Sequence, residues 1–141
     1  MDANPETLTI ESRLERIDDA RRWVTERVRA AGFGDDPISE IELALTEALA
    51  NVIEHSYAGD TSKEIAVTVV RDEHSLRISV RDWGQSFDPA GYSPRDLDDP
   101  GEGGYGVFLI DELMDRVIRE PQPDGGTLLT LVKRKEGHHH D

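Results

Sequence analysis

The sequence contains no cysteine and no long apolar run, and each absence excludes a class of protein. Because none of its 141 residues is Cys, the chain cannot carry disulfides, thiolate zinc sites, iron–sulfur clusters or a cysteine nucleophile. Its uninterrupted apolar runs are only a few residues long, far short of the roughly 20 that a membrane-spanning helix needs. The opening MDANPETLTI has neither a basic start nor an apolar core, so we expect no secretion signal, no membrane contact and a cytoplasmic protein.

Basic residues are also scarce, which limits the partners that the protein can bind. Lys and Arg together number 16 against 30 Asp and Glu, a formal net charge of −14 at pH 7. Such a charge repels a phosphate backbone, so we expect no direct contact with nucleic acid. The acidity fits either a basic protein partner or simple solubility, and composition does not decide between them.

The length of the chain and its lack of repeats, low-complexity blocks and linkers predict one domain over residues 1–141, with 136–141 as a disordered tail. Apolar spacings of three and four alternate with stretches of period two, and Asp36 and Pro37 suggest an N-cap and a first helical position. The order strand, two helices, hairpin, loop, helix, two strands predicts an α+β fold, a two-layer sandwich whose mixed, mostly antiparallel sheet is covered on one face by three helices. The predicted segments are strands at 7–11, 65–69, 76–80, 116–120 and 127–133, helices at 13–31, 36–56 and 105–115, and a loop at 88–104.

Three polar residues share one stripe of the second predicted helix. Glu47, Asn51 and His55 follow one another at intervals of four, beside apolar core positions. An amide oxygen such as that of Asn51 is a ligand for Mg²⁺, and a carboxylate one turn away can accept a proton from an attacking hydroxyl. His55, at the end of the helix, could contact a phosphate. The alternative is an ordinary polar row on a solvated face with a histidine that satisfies terminal carbonyls.

Two further segments could contact a ligand. Asp82 follows a strand and is followed by Gly84, so its carboxylate could accept a hydrogen bond from a ligand amine, although a plain Asp-x-Gly turn fits equally. The glycine-rich segment 101–106 precedes the third helix, whose free N–H groups could hold a phosphate, and a purely structural turn is the alternative. That segment matches GxGxxG, but it follows a loop and no βαβ unit can be completed after it, which argues against dinucleotide binding.

Taken in order, these segments resemble the GHKL ATPase superfamily, which includes gyrase, heat-shock chaperone, histidine kinase and mismatch-repair ATPases. The similarity rests on four motifs in sequence order and is closest to the anti-sigma-factor serine/threonine kinases. The matching strings are EALANVIEH at 47–55, DWGQSFDP at 82–89, GEGGYGVFLI at 101–110 with LMDRV at 113–117, and Gly126-Thr127. Ser86 and Tyr105 depart from the residues that relatives often have, but neither change removes a reactive group.

The resemblance implies a site for ATP and Mg²⁺ between the helices and the sheet. Glu47 would be the catalytic base and Asn51 the metal ligand. Asp82 would bind the adenine amine with the help of Thr127, and Gly84 would allow close approach of the base. The remaining residues expected to contact the cofactor, mostly at its phosphates, are His55, Arg95, Gly101, Gly103, Gly104, Tyr105 and Gly106.

The resemblance also implies partners and an activity. The expected function is an anti-sigma factor and serine/threonine kinase that phosphorylates an anti-anti-sigma protein of the STAS type, with a homodimer as a possible assembly. The alternative is a binding module that sequesters a sigma factor and uses nucleotide only to set its conformation. A third possibility is a conformational switch that hydrolyses ATP with water as the nucleophile.

Overall fold

Five strands and three helices make up the part of the chain that the structure, a computed structural model, describes: residues 5–84 and 104–135. In chain order they are β1 (Glu6–Glu11), α1 (Glu15–Ala30), α2 (Asp35–Asn51), β2 (Glu64–Arg71), β3 (Ser75–Arg81), α3 (Gly104–Leu113), β4 (Arg116–Pro121) and β5 (Thr127–Arg134). Helix α2 continues directly into a π-helical turn, Val52–Ser56. No helix within the described ranges is long and apolar enough to cross a bilayer.

The strands form one sheet in the order β1-β2-β3-β5-β4, and every neighbouring pair is antiparallel. The predicted hairpin is β2–β3, whose turn is organised by Asp72: its Oδ1 accepts hydrogen bonds from the backbone N–H groups of His74 and Ser75, both at 2.8 Å. The predicted α+β fold with a mostly antiparallel sheet and three helices is confirmed. The described strands contain no parallel pair, so the expected mixed character of the sheet is absent from this part of the chain.

The core lies between the helices and one face of this sheet. Strands β2 and β3 alternate between buried and more exposed positions, as period-two patterning requires. Their buried residues pack in one cluster with the apolar face of α2. The fully buried large side chains here are Ile41, Leu45, Leu49, Ile65, Val67, Leu76, Ile78 and Val80. Asp82 continues the buried alternation of β3 one step beyond the strand, which places a carboxylate at the end of an apolar row.

Helix α2 begins earlier than the sequence suggested. Its N-cap is Gly34, not Asp36, and the N–H of Ile38 donates to the Gly34 carbonyl at 3.1 Å. Pro37 is therefore the third helical residue rather than the first. It still fits, because the N–H groups of the first turn have no partner within the helix. The other helix and strand boundaries agree with the predicted ones to within two residues.

A buried lysine on the inner face of β5 ties the two helices above it together. Lys133 is 8% exposed, and its Nζ donates to Glu40 Oε1 of α2 at 2.7 Å and to the carbonyl oxygen of Leu113 at the end of α3. A cation at a helix C-terminus is favoured by the helix dipole. Lys133 thereby fixes the end of α3 against α2 and the sheet.

Two predicted segments cannot be compared with the structure. The loop at 88–103, including Arg95, Gly101 and Gly103, lies outside the described residues, and so does the predicted tail at 136–141.

Candidate functional site

A cleft lies between α2, α3 and the inner face of the sheet, with an empty volume of about 390 Å³. This volume includes space that is open to solvent. Three predicted residues that are far apart in sequence, Asn51, Asp82 and Thr127, line it together. The full set of described lining residues is Ala48, Asn51, Val52, Ser56, Asp82, Ile110, Arg119, Thr127 and Leu129.

Asp82 lies at the bottom of this cleft, 2% exposed. Its backbone pairs with Thr127 on the neighbouring strand: the Asp82 N–H donates to the Thr127 carbonyl at 3.1 Å, and the Thr127 N–H donates back at 3.3 Å. The N–H of Gly84 donates to Asp82 Oδ1 at 3.0 Å. Burial raises the pKa of the Asp82 carboxyl above its ordinary value, while the Gly84 hydrogen bond and the Arg81 charge oppose the rise. The chain thus holds a desolvated hydrogen-bond acceptor in an apolar cleft.

Two glycines hold the segment around Asp82 in place through close backbone contacts. A Cβ on Gly84 would lie 2.3 Å from the carbonyl oxygen of Ser56, and a Cβ on Gly126 would lie 2.0 Å from that of Asp82. Gly126 also has φ +79°, which L side chains rarely adopt. The sequence interpretation assigned the space at Gly84 to a ligand base. That assignment stays a prediction; the structure shows that the Ser56 backbone leaves no room for a Cβ at Gly84, so the glycine also lets two protein segments meet.

Tyr57 connects the π turn to the segment that carries Asp82. Its hydroxyl donates to the Glu64 carbonyl at 2.6 Å and accepts a hydrogen bond from the Trp83 N–H at 2.8 Å. Burial is the main cause that raises the pKa of this phenol. Trp83 itself is 46% exposed, with the Arg81 guanidinium 4.7 Å from its ring centroid. Tyr57 therefore fixes the backbone of the residue next to Asp82 while the indole remains accessible.

Two polar atoms in the cleft are buried and have no hydrogen-bond partner among the described residues: Thr127 Oγ1 and Arg119 Nη2. Buried polar groups in native proteins are nearly always hydrogen-bonded, so a missing partner calls for an explanation. Both atoms belong to residues that line the same cleft as Asp82. A bound molecule that carries hydrogen-bonding groups on an otherwise apolar ring would satisfy them, and a purine is such a molecule.

The predicted polar row on α2 is only partly preserved. Glu47 and Asn51 lie one α-helical turn apart, and both are half-buried at the boundary of the core, as predicted. Beyond Asn51 the helix widens into the π turn, where the N–H of Tyr57 bonds to the Val52 carbonyl at 2.9 Å. The i+4 spacing therefore no longer stacks His55 directly above Asn51. Among the described lining residues of the cleft, Asn51 is present but Glu47 and His55 are not.

The predicted phosphate-binding segment reaches the start of α3. The helix begins at Gly104, so Gly104, Tyr105 and Gly106 supply N–H groups of its first turn, which have no partner within the helix. Such groups favour an anion. Ile110, one and a half turns later, is buried and lines the cleft.

Sequence reasoning missed several lining residues, of which Arg119 is the most informative. On β4, Val117 and Arg119 are two residues apart and therefore face the same side of the sheet. Their partners on β5 are Leu131, which is fully buried in the core, and Leu129. The sequence signal that could have identified Arg119 as a lining residue was an arginine on the same face of the sheet as these apolar residues. Ser56 gave none, because its position depends on the π turn.

A family model and two named relatives each match most of this chain. Residues 10–133 match the family model described as histidine kinase-like ATPase domain. A protein named serine-protein kinase RsbW from Halalkalibacterium halodurans is 32% identical over 139 residues, which covers 92% of this chain and 83% of the relative. The protein of the same name from Listeria monocytogenes is 32% identical over 119 residues, 79% of this chain and 76% of the relative.

A solved structure shares the fold. It contains the RsbU and RsbW domains of Rv1364c from Mycobacterium tuberculosis, with a TM-score of 0.68 and 24% sequence identity. The match covers 93% of this chain but only 32% of that one, so the present chain corresponds to about a third of its length.

Proposed function

The chain belongs to the histidine kinase-like ATPase domain family, and from this premise we propose that it is an anti-sigma factor and serine/threonine kinase. In this proposal it binds Mg·ATP and phosphorylates an anti-anti-sigma protein of the STAS type. Relatives named serine-protein kinase RsbW, at 32% identity over most of both chains, support this assignment. The observation that carries it is the cleft that unites Asn51, Asp82 and Thr127.

The base of the nucleotide fits the inner end of the cleft. The buried carboxylate of Asp82 accepts a hydrogen bond from the exocyclic amine of adenine, and the Thr127 hydroxyl, which lacks a partner among the described residues, bonds to the same edge of the ring. The apolar walls contributed by Val52, Ile110 and Leu129 take the faces of the ring. A guanine would direct its O6, an acceptor, at the Asp82 carboxylate, so the cleft selects adenine.

The phosphates and the metal fit the outer end. The side-chain oxygen of Asn51 suits Mg²⁺, which prefers oxygen ligands and takes few of them from protein. The N–H groups at the start of α3, from Gly104 to Gly106, face developing negative charge on the phosphates. The assignments of His55, Arg95, Gly101 and Gly103 to phosphate contacts remain predictions. When bound, Mg²⁺ would neutralise charge on the transferring phosphoryl group.

Glu47 is the proposed catalytic base. It lies one helical turn before Asn51, the proposed metal ligand, and is half-buried, so part of its side chain is open to an incoming protein. Its carboxylate accepts the proton of the acceptor serine or threonine hydroxyl as that oxygen forms its bond to the γ-phosphorus. The bond between the γ-phosphorus and the oxygen that bridges it to the β-phosphate breaks, and ADP leaves with that oxygen.

Transfer of γ-labelled phosphate from ATP to a candidate STAS protein tests this function. We expect label on the acceptor with the unaltered chain, and at least about a hundredfold less with Glu47→Gln, in line with the typical contribution of a general base. Glu54→Gln is the matched control, since Glu54 is exposed on the same helical segment. No transfer by the unaltered chain, or undiminished transfer by Glu47→Gln, rejects the kinase.

A binding module that sequesters a sigma factor without significant kinase activity is the second candidate. One observation favours it: α2 and the π turn contain no Lys or Arg but six carboxylates, which lie at Asp35, Asp36, Glu40, Glu42, Glu47 and Glu54. Glu40 is paired with Lys133 and Asp35 with Arg29, but the excess of negative charge attracts a partner of the opposite sign and makes affinity depend on salt. Sigma-factor capture that weakens with salt, together with no label transfer, would select this candidate.

The assembly and location of the protein are part of the same proposal. A cytoplasmic regulator of this kind is expected to meet its sigma factor and its STAS partner in turn, and a homodimer remains a prediction. Light scattering of the purified chain, with and without nucleotide, measures the mass directly. A monomer under both conditions would reject the homodimer and leave the nucleotide site unaffected.

A further inference from the structure

Arg119 has an environment that a purely structural role does not explain. Its guanidinium is anchored on one side, where Nη1 donates to Asp111 Oδ1 of α3 at 3.3 Å. On the other side Nη2 is buried and has no hydrogen-bond partner among the described residues. The side chain is 20% exposed and lines the cleft. A guanidinium carries only hydrogen-bond donors and no acceptor. The unpartnered N–H therefore calls for an acceptor within the cleft.

The position of Arg119 in the sheet places it at the base end of the cleft. Pro121 pairs with Thr127 and Arg119 pairs with Leu129, so Arg119 and Thr127 are diagonal neighbours on the same face. Diagonal neighbours lie about 7–8 Å apart, a separation that a bicyclic ring can span. Thr127 in turn pairs with Asp82 through two backbone hydrogen bonds. The three polar groups thus surround one end of the cleft.

Their chemistry is complementary to adenine. An ionised Asp82 can only accept hydrogen bonds, Arg119 can only donate them, and the Thr127 hydroxyl can do either. Adenine presents one donor, its exocyclic amine, and three acceptors, the ring nitrogens N1, N3 and N7. With the amine on Asp82, a donor is needed for a ring nitrogen, and the unpartnered Nη2 is such a donor.

We infer that Arg119 is a specificity-determining residue for the nucleotide base, which donates a hydrogen bond from Nη2 to a ring nitrogen of adenine. The inference rests on the proposed ATP site. The Asp111 contact keeps the guanidinium in place, so little side-chain freedom is lost when the base binds. Asp111 is the positioning residue, and Arg119 the one that touches the ligand.

Calorimetric titration of the full chain with ATP and with its 1-deaza, 3-deaza and 7-deaza analogues tests the inference, since each analogue lacks one ring nitrogen. For the unaltered chain we expect one analogue to bind about 10- to 100-fold more weakly than ATP through loss of a charge-assisted hydrogen bond. Arg119→Met should bind ATP more weakly by a similar factor and should no longer distinguish that analogue from ATP. Arg116→Met is the matched control, because Arg116 lies exposed on the opposite face of β4.

Thermal melting of the nucleotide-free variants separates a binding role from a structural one. Arg119→Met removes the unpartnered Nη2 and also the half-exposed ion pair with Asp111, so its melting temperature should fall by no more than about 4 °C. If it falls further than that, Arg119→Lys, which keeps the charge but not the planar fork, is titrated in its place with the same expectation for the analogues. Unchanged ATP affinity in Arg119→Met, or equal weakening of ATP and all three analogues, overturns the inference. Failure of the unaltered chain to bind ATP overturns the proposed function instead.

Discussion

Replacing Asp82 by Asn should change stability and nucleotide binding in opposite directions. Asn has the same shape, and its Oδ1 can still accept the N–H of Gly84 that Asp82 now accepts at 3.0 Å. What the change removes is a charge in a site that is 2% exposed. Because burial of that charge raises the carboxyl pKa, the nucleotide-free Asn variant should be more stable at pH 7. We expect a gain on the order of 1 kcal/mol, or about 3 °C in melting temperature for a chain of this size.

The same substitution should weaken ATP binding. A hydrogen bond to a charged group contributes about 1.5–3 kcal/mol, so its loss weakens binding roughly 10- to 150-fold. Calorimetry and thermal melting on the same samples measure both effects. A variant that is less stable than the unaltered protein at pH 7, or that binds ATP equally well, would refute the account of Asp82 as a desolvated acceptor for the base.

The pH dependence of stability checks the direction of the pKa shift at Asp82. The folded pKa of Asp82 is raised above its unfolded value, so the unaltered protein gains stability from this group as the pH falls through the folded pKa towards about 4. The stability advantage of Asp82→Asn should therefore be largest near pH 7 and shrink in acid. Asp72→Asn should behave oppositely, because backbone hydrogen bonds from His74 and Ser75 lower the pKa of Asp72. Its carboxylate stabilises the fold above the unfolded pKa, and the variant should be less stable at pH 7.

Three other substitutions test the supports of the site by urea unfolding and ATP titration. Gly126→Ala should lower the free energy of unfolding by at least about 2 kcal/mol, because its Cβ would lie 2.0 Å from the Asp82 carbonyl oxygen at φ +79°. Gly34→Ala is the control: nothing lies within 4 Å of its Cβ, so it should cost less than about 1 kcal/mol. Equal losses of stability in the two variants would contradict this explanation. Tyr57→Phe should lower the free energy of unfolding by about 1–3 kcal/mol and weaken ATP binding, since it leaves the Glu64 carbonyl and the Trp83 N–H without their partner. Unchanged stability and ATP affinity would show that Tyr57 does not hold Trp83. Lys133→Met should destabilise the fold by about 1–3 kcal/mol, because it removes the hydrogen bonds to Glu40 and to the Leu113 carbonyl. Amide hydrogen exchange should rise first at the end of α3. A uniform rise in exchange over the whole chain would show that Lys133 does not fix the end of α3.

The order of helices and strands was predictable because each local pattern agrees with the fold that surrounds it. Leu76, Ile78 and Val80 alternate with polar residues in the sequence, and they are buried on one face of the sheet. The predicted start of α2 was wrong. Asp36 is a good N-cap in isolation, but the chain enters the helix through the extended backbone of Gly34. Local preference is a weak guide where tertiary contacts fix the path of the chain.

The candidate site was predictable where motif residues line it and unpredictable where packing shapes it. Asp82 and Thr127 lie 45 positions apart in sequence, yet the β3–β5 pairing makes them direct neighbours. The family motifs could suggest that neighbourhood, but not the widening of α2 after Asn51. That π turn has no sequence signature, and it changes the orientation of His55 and brings Ser56 against Gly84.

The position of the π turn also explains why a glycine two residues after Asp82 matters for the protein's own packing. The extra residue in the turn presents the Ser56 carbonyl to Gly84 and the Tyr57 hydroxyl to the Trp83 N–H. One helix thus carries the proposed metal ligand, Asn51, and also contacts the segment that holds the proposed adenine acceptor. Asn51 and Asp82 are linked through this short path of backbone contacts, so the path itself should couple the base end of the nucleotide site to the metal end. Gly84→Ala would force an opening of about 1 Å between the two segments, since 2.3 Å is roughly that much shorter than ordinary van der Waals contact. It should weaken the effect of Mg²⁺ on ATP affinity as well as the affinity itself, whereas Asp82→Asn should lower the affinity and leave the effect of Mg²⁺ intact.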